Sequence, residues 1–234
     1  MKMMPRILLL ITLPLLIGAA PAPENSASPA LINTIAIETA LLQAAPTIRP
    51  EALHAALAAW DTFSSQGQLS RPLLTVIDYG LPSMTKRMWV FDLANQHLLF
   101  HELVAHGRNS GEDLTWSFSN REGSLMTSLG AFVTGATYTG KNGYSLRLRG
   151  MEPGLNDRAE ERTIVMHGAP YVSEEVGHKL GRLGRSWGCP AVRPEIARPL
   201  IDEVKDRTLL YAWHPSIDTI AASSSASMTG NSVR

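Results

Sequence analysis

Apolar positions recur at helical spacing between residues 51 and 63. Leu53, Ala56, Leu57, Trp60 and Phe63 fall on one side of a helix that Pro50 and Glu51 are suited to start. Residues 31–44 carry a weaker pattern of the same kind. After Gln66-Gly67-Gln68 the texture changes to short β-rich runs broken by Gly, Asn and Pro. These predict strands at Leu73 to Tyr79, Met88 to Leu93, His97 to His106, Ala131 to Thr139, Leu146 to Arg149, Thr163 to His167, Ala191 to Val192 and Thr208 to Trp213. Lys141-Asn142-Gly143 reads as a hairpin turn. Helical spacing returns from Pro194 to Asp206, with Ile196, Leu200, Ile201 and Val204 on one side. Strands at such close spacing predict a mainly β sandwich or barrel, with a short helical prelude before it and a helix flanking it near the C-terminus. No internal repeat is visible.

Punctuation between these runs divides the chain. Lys2 and Arg6 precede a short apolar run, Ile7 to Ala20, that ends in small residues, so residues 1–22 read as a signal peptide. A spanning helix needs about 20 apolar residues, and this run is shorter and carries Pro14. Pro21 and Pro23 disfavour cleavage at the nearest small residues, so an uncleaved anchor is the alternative, and the only membrane contact expected. Residues 23–66 are expected to be a linker and the helical prelude, 67–215 the β domain, and 216–234 a Ser-rich disordered tail with little to bury. The expected location is periplasmic or otherwise exported.

Composition narrows the classes further. With 234 residues, 44% hydrophobic and 18% charged, the chain is long enough to bury one sizeable core and is neither disordered nor fibrous. Lys+Arg and Asp+Glu both number 21, and no basic stripe with interleaved aromatics exists, which argues against a nucleic-acid partner. Nothing calls for more than a monomer.

One cysteine, Cys189, is present, so no internal disulfide can form. A lone thiol in an oxidising compartment is either an inert buried hydrophobe or kept for its chemistry. Two clusters bear on that choice: Ile164-Val165-Met166-His167-Gly168-Ala169, with a histidine at the end of an apolar strand, and Gly184-Arg185-Ser186-Trp187-Gly188-Cys189-Pro190-Ala191-Val192, with the thiol on a turn. Gly188 permits backbone angles that other residues avoid, and Pro190 fixes the exit. A thiol on a glycine turn near a strand-end histidine is what thiol acyl transfer requires. Its pKa must be lowered by a nearby imidazole, by Arg185 or by turn amides, and peptide N–H groups near Gly188 and Cys189 suit an oxyanion. His97, His101 and His106 raise a zinc peptidase as a rival, but no carboxylate or cysteine completes a ligand set, so no metal is expected. Tyr144, Arg147 and Arg149 lie where a substrate wall could form, although an exposed strand explains them equally well.

These clusters resemble the L,D-transpeptidase family, bacterial cell-wall enzymes whose signature is a His-Gly pair followed by a Ser-His-Gly-Cys turn. The turn Arg185 to Val192 is similar to that of the murein L,D-transpeptidase catalytic domain subgroup. So are Leu73 to Tyr79, Val104-Ala105-His106-Gly107-Arg108-Asn109-Ser110-Gly111 and Thr139 to Leu148. The resemblance runs from about Leu73 to Pro215. It implies an L,D-transpeptidase-like β-sandwich or barrel, Cys189 as nucleophile, His167 as general base, and Gly188, Ser186 and Gly168 around them. Trp187 stands where the family has a second histidine, and the loop between His167 and Ser186 is a little longer than usual. Trp187 and Tyr144 are candidate substrate contacts, Tyr144 as a lid. The implied reaction is 3→3 cross-linking of peptidoglycan stem peptides through a thioester, without a cofactor. An L,D-carboxypeptidase at the same site and a non-catalytic peptidoglycan-binding module are the alternatives.

Overall fold

The structure is a computed structural model and describes residues 34–230. The expected signal peptide and the first part of the linker lie outside the described residues. Helices α1 (Thr34–Ala44) and α2 (Pro50–Ser65) come first. Pro50 sits in the first turn of α2, where a missing N–H costs nothing. α2 buries Ala52, Leu53, Ala56, Leu57 and Trp60, close to the predicted stripe, with Phe63 half-buried at its end.

All eight predicted runs are strands: β1 (Leu73–Asp78), β2 (Met88–Asp92), β3 (His97–Glu102), β4 (Gly130–Gly140), β5 (Gly143–Gly150), β6 (Val165–Gly168), β7 (Ala191–Val192) and β8 (Leu209–Trp213). They form one sheet in the order β3-β2-β1-β8-β4-β5-β6-β7. β1–β8 and β6–β7 pair parallel and the other pairs antiparallel. Every residue of β1 is buried, because β1 lies mid-sheet and α2 packs on it and on β8. Burial on both faces is why it reads as an unbroken apolar run. The sheet nearly closes on itself. Beyond β3 the chain crosses to the other edge, where the Ala105 N–H donates to the Ala191 carbonyl at 2.8 Å and the Ser186 N–H to the His106 carbonyl at 2.9 Å. The result is the mainly β, barrel-like domain the pattern predicts. The β4–β5 hairpin turns on Lys141-Asn142, with Gly143 at φ 73°.

Two helices depart from the expectation. Helix α3 (Glu174–Leu180) carries its own signals: the Ser173 hydroxyl caps the Val176 N–H, acids begin it, His178 and Lys179 end it, and Gly181 closes it at φ 67°. It was not predicted because its buried residue is Gly177, pressed against Met84, so no apolar period marks it. Helix α4 (Pro194–Val204) buries Ala197, Leu200, Ile201 and Val204, leaving Ile196 half-buried. Helix α5 (Ile217–Gly230) runs where a disordered tail was expected. Ile217 is buried, Ile220 lines a groove with Phe118 and Leu155, and the Ser223 hydroxyl turns back to the Thr219 carbonyl. Two docked isoleucines hold a helix that serine-rich composition alone would not.

Among the described residues one cation, Arg87, is buried with no exposed surface. Its guanidinium donates to the carbonyls of Val104 (3.2 and 3.0 Å) and Leu81 (2.7 Å) and to His106 Nδ1 (2.8 Å), and lies 5.1 Å from the Tyr79 ring centroid. Arginine only donates, so Nδ1 accepts and Nε2–H points to the Gly111 carbonyl at 3.4 Å. His106 is therefore neutral. Burial first, and the Arg87 charge second, push its pKa down to about 4.

A pH dependence follows. The unfolded imidazole titrates near its ordinary value, so between about pH 6.5 and 4 the unfolded chain binds the extra proton and stability falls as pH drops. The loss from His106 is on the order of 3 kcal/mol. His167 and His214, also depressed chiefly by burial, add to it in the same direction. Denaturant midpoints are expected to decline from pH 7 to 4, less steeply in His106→Gln. Equal slopes in the two proteins would refute the assignment.

Candidate active site

The β6–β7 register decides which side chains meet. His167 pairs with Ala191 and Gly168 with Val192. Two rungs back, Cys189 stands opposite Val165, and alternation puts the thiol and the imidazole on the same outward face. Ile164, Gly188 and Pro190, of the other parity, line a small interior void with Leu210 and Ala212. His167, Gly168, Ser186, Trp187 and Cys189 all line one cleft of about 900 Å³, together with Arg162, Thr163, Tyr171 and the hairpin residues Lys141 and Asn142.

The turn itself is built by Ser186. Its buried hydroxyl donates to the Cys189 carbonyl at 2.6 Å and accepts the Gly188 N–H at 3.1 Å. Gly188 lies at φ 123°, and a Cβ there would stand 2.7 Å from the Met126 carbonyl oxygen, so only glycine fits. Gly188 thus faces inward with its amide occupied, which removes it as the expected oxyanion donor. Gly168 is equally constrained: a Cβ would come 2.9 Å from Ala197 Cβ, which lets α4 press on the end of β6.

His167 and Cys189 are both largely buried. His167 Nδ1 lies 3.0 Å from the Gly168 carbonyl, an acceptor only, so Nδ1 carries the proton and Nε2 the free lone pair. Burial holds the imidazole pKa below its usual value, partly offset by that bond. The thiol donates to the Thr163 carbonyl at 3.8 Å. Burial pushes its pKa up, while the Val165 N–H and the Arg162 charge pull it down. The thiol and the imidazole that share this cleft are therefore both neutral at rest.

Other expected residues are placed elsewhere. Tyr144 is not brought to the cleft wall: its hydroxyl donates to Asp202 at 2.6 Å and Arg198 lies 4.1 Å over its ring, so it ties the hairpin to α4 and is no lid. Arg147 stacks on Tyr138 and Arg149 reaches Gln68. Arg185 lines the cleft, but its guanidinium is spent on Glu112 (2.7 Å) and on the carbonyls of Gly111 and Arg108. The cation acting on the thiol is Arg162, which sequence reasoning missed because the β-rich reading stops at Thr163. The three strand histidines separate: His101 stacks on Trp89, His106 is buried against Arg87 and His97 is exposed. Trp187 is 73% exposed at the cleft rim.

Compared with known proteins, residues 44–213 match the family described as L,D-transpeptidase catalytic domain. That span is well over half of the chain. The chain belongs to the L,D-transpeptidase catalytic domain family. Solved structures similar to it include an L,D-transpeptidase from Mycobacterium smegmatis (14% identity, TM-score 0.38, 61% of this chain and 58% of that one). Others are the helical cell shape determining protein Pgp2 from Campylobacter jejuni (14%, 0.43, 68% and 55%) and an L,D-transpeptidase from Mycobacterium tuberculosis H37Rv (15%, 0.36, 62% and 58%). The chain spans less than two thirds of the length of each. No curated protein matches it.

Replacing Ser186 with alanine removes both bonds that shape the turn. Ser186→Ala is expected to lose about 1–3 kcal/mol of stability and to change the rate at which Cys189 reacts with iodoacetamide. Denaturation and labelling read the two effects, and a variant unchanged in both would show that the turn does not depend on this hydroxyl.

Proposed function

We propose that this member of the family is an exported cysteine acyltransferase that forms 3→3 cross-links in peptidoglycan. The observation that carries the reading is the chain's sole thiol and an imidazole with its Nε2 lone pair free, set on one face of the β6–β7 pair and opening into one cleft. Residues 1–22, read as an export signal, support a location where the wall is reached.

In this reading His167 Nε2 takes the Cys189 proton as Sγ attacks the carbonyl carbon of the third residue of a tetrapeptide stem. Gly188 has spent its amide on Ser186, which leaves the Cys189 N–H as the turn amide for the oxyanion. When the tetrahedral intermediate collapses, the C–N bond to D-Ala breaks and D-Ala leaves with the proton from His167, giving the thioester. An amine of a second stem then attacks, His167 takes its proton, the C–S bond breaks and the sulfur regains the proton. Water in place of the amine gives the carboxypeptidase. Each step uses only this chain's residues and the two stems.

The test is intact-protein mass spectrometry after incubation with disaccharide-tetrapeptide. Wild type is expected to carry an acyl adduct and yield dimer, Cys189→Ala neither, and His167→Ala to acylate about 10²-fold more slowly or worse. Because His167 is depressed, the acid limb of acylation is expected below the ordinary imidazole value, with activity rising as pH increases through it. Tripeptide without dimer would replace cross-linking with hydrolysis. No adduct and no D-Ala release would leave a binding module.

A further inference from the structure

Arg162 sits in the turn before β6, and its guanidinium donates to the carbonyls of Ser119 (2.6 Å) and Met126 (2.6 Å) and to the hydroxyls of Ser124 (3.2 Å) and Ser128. All four acceptors belong to the segment 119–128, which forms one wall of the cleft through Glu122, Gly123 and Leu125. Among the described residues no carboxylate pairs with it. The same guanidinium lies directly behind the nucleophile turn, where a Cβ on Gly188 would stand 3.3 Å from its Nη2. Fastening a loop needs only neutral donors, whereas a half-buried charge without a counter-ion is costly to keep. The cost is offset when an anion forms beside it, and the group beside it that forms one is Cys189.

The next residue adds a second, independent sign. Thr163 is β-branched yet lies at φ 53°, a conformation that costs about 1–3 kcal/mol. That backbone turn aims its carbonyl at the Cys189 thiol. Strain kept at the wall of a cleft, at the carbonyl that accepts the hydrogen bond of the thiol, marks a built site. Lys141, Glu122 and Glu161 also line the cleft, but the charge that acts on the thiol is that of Arg162. Tyr171 and Tyr79 are pushed upward by burial, Tyr171 to about 12, His167 is depressed and neutral, and Arg185 is held by Glu112.

We propose that Arg162 is a positioning residue for the nucleophile: a charge held behind the Ser186–Cys189 turn, it stabilises the anion that forms on Cys189 and pins the 119–128 wall of the cleft. The proposal deepens the reading of Cys189 as nucleophile and rests on it. Its test needs no peptide substrate, so its failure is distinct from a failure of acyl transfer.

The measurement is the rate of Cys189 alkylation by iodoacetamide as a function of pH in the full chain, for wild type, Arg162→Gln and Arg162→Lys. Glutamine keeps amide donors for the loop but no charge. It is expected to move the profile up by about one unit, so that labelling at pH 7 slows about tenfold. Lysine keeps the charge and is expected to follow wild type in pH profile while the 119–128 segment becomes easier to cleave by protease. A folded Arg162→Gln protein with the wild-type profile would overturn the proposal, as would equal shifts in both variants, which would track lost stability instead of charge. Where glutamine does not fold, lysine alone decides: a wild-type profile supports the role and an upward shift refutes it.

Discussion

The site depends on a parallel pairing only two residues long. β6 meets β7 at His167–Ala191 and Gly168–Val192, and that register alone turns the thiol and the imidazole to one face. A slip of one residue would carry Cys189 into the interior void and bring Pro190 to the cleft. So short a ladder cannot hold its register by itself, and the surrounding bonds do so. The Ala105 N–H donates to the Ala191 carbonyl and the Ala169 N–H to that of Val192, while Ser186 exchanges backbone bonds with His106 and Arg108. From the other side α4 presses on β6 where Gly168 has no side chain. Near-closure of the barrel is therefore what positions the thiol: the chain beyond β3 reaches β7 and fixes the turn that bears the cysteine.

Two arginines inside this domain are solvated in the same manner and serve opposite ends. Arg87 and Arg162 both spend their donors on carbonyls and uncharged side-chain groups instead of carboxylates. Arg87 faces an imidazole that its charge helps keep unprotonated and the phenol of Tyr79, which burial keeps protonated against the pull of the same charge, and burial pushes its own pKa down to about 10. Its network supports the backbone from Leu81 to His106, whose carbonyl takes the Ser186 N–H. Arg162 faces a thiol, whose ionisation its charge favours. The first cation stiffens the platform and the second acts on what the platform carries.

Much of this was legible in the sequence. Eight short β-rich runs bounded by Gly, Asn and Pro are the eight strands, because a sheet buried on both faces needs unbroken apolar runs such as Leu73 to Asp78. The juxtaposition of His167 with Ser186 to Cys189 was also readable, since strand end and glycine turn each have local signatures. What was not readable is long-range or conformational. Tyr144 follows a correctly placed hairpin, but only the packing of α4 shows that Asp202 and Arg198 claim it. Arg185 lies four residues from the thiol in sequence and is taken by Glu112 across the fold. Arg162 acts on that thiol from 27 residues upstream. The left-handed Thr163 has no signature, because a β-branched residue is the last that propensity would place there. Ser186 was read as part of the turn, yet that its hydroxyl would occupy the Gly188 amide and deny it to an oxyanion needed coordinates.

The protonated resting thiol fits the proposed compartment. Thiolate is the form that attacks disulfides and reacts with oxidants, so a cysteine kept protonated is the less open to both. Cys189 is buried with its S–H directed at the Thr163 carbonyl, and burial outweighs the pull of Val165 and Arg162. With no second cysteine in the chain, intramolecular disulfide formation is closed to it as well. In the proposed reading the groups that would make it reactive share its cleft or its turn: an imidazole with a free Nε2 lone pair, the Arg162 cation and the Cys189 amide. What remains is removal of the proton, and a carbonyl carbon seated at sulfur lowers the cost of that step because bond formation withdraws charge from sulfur as His167 takes the proton. Reactivity is thus tied to occupancy of the cleft, which fits the acyl transfer proposed for this site.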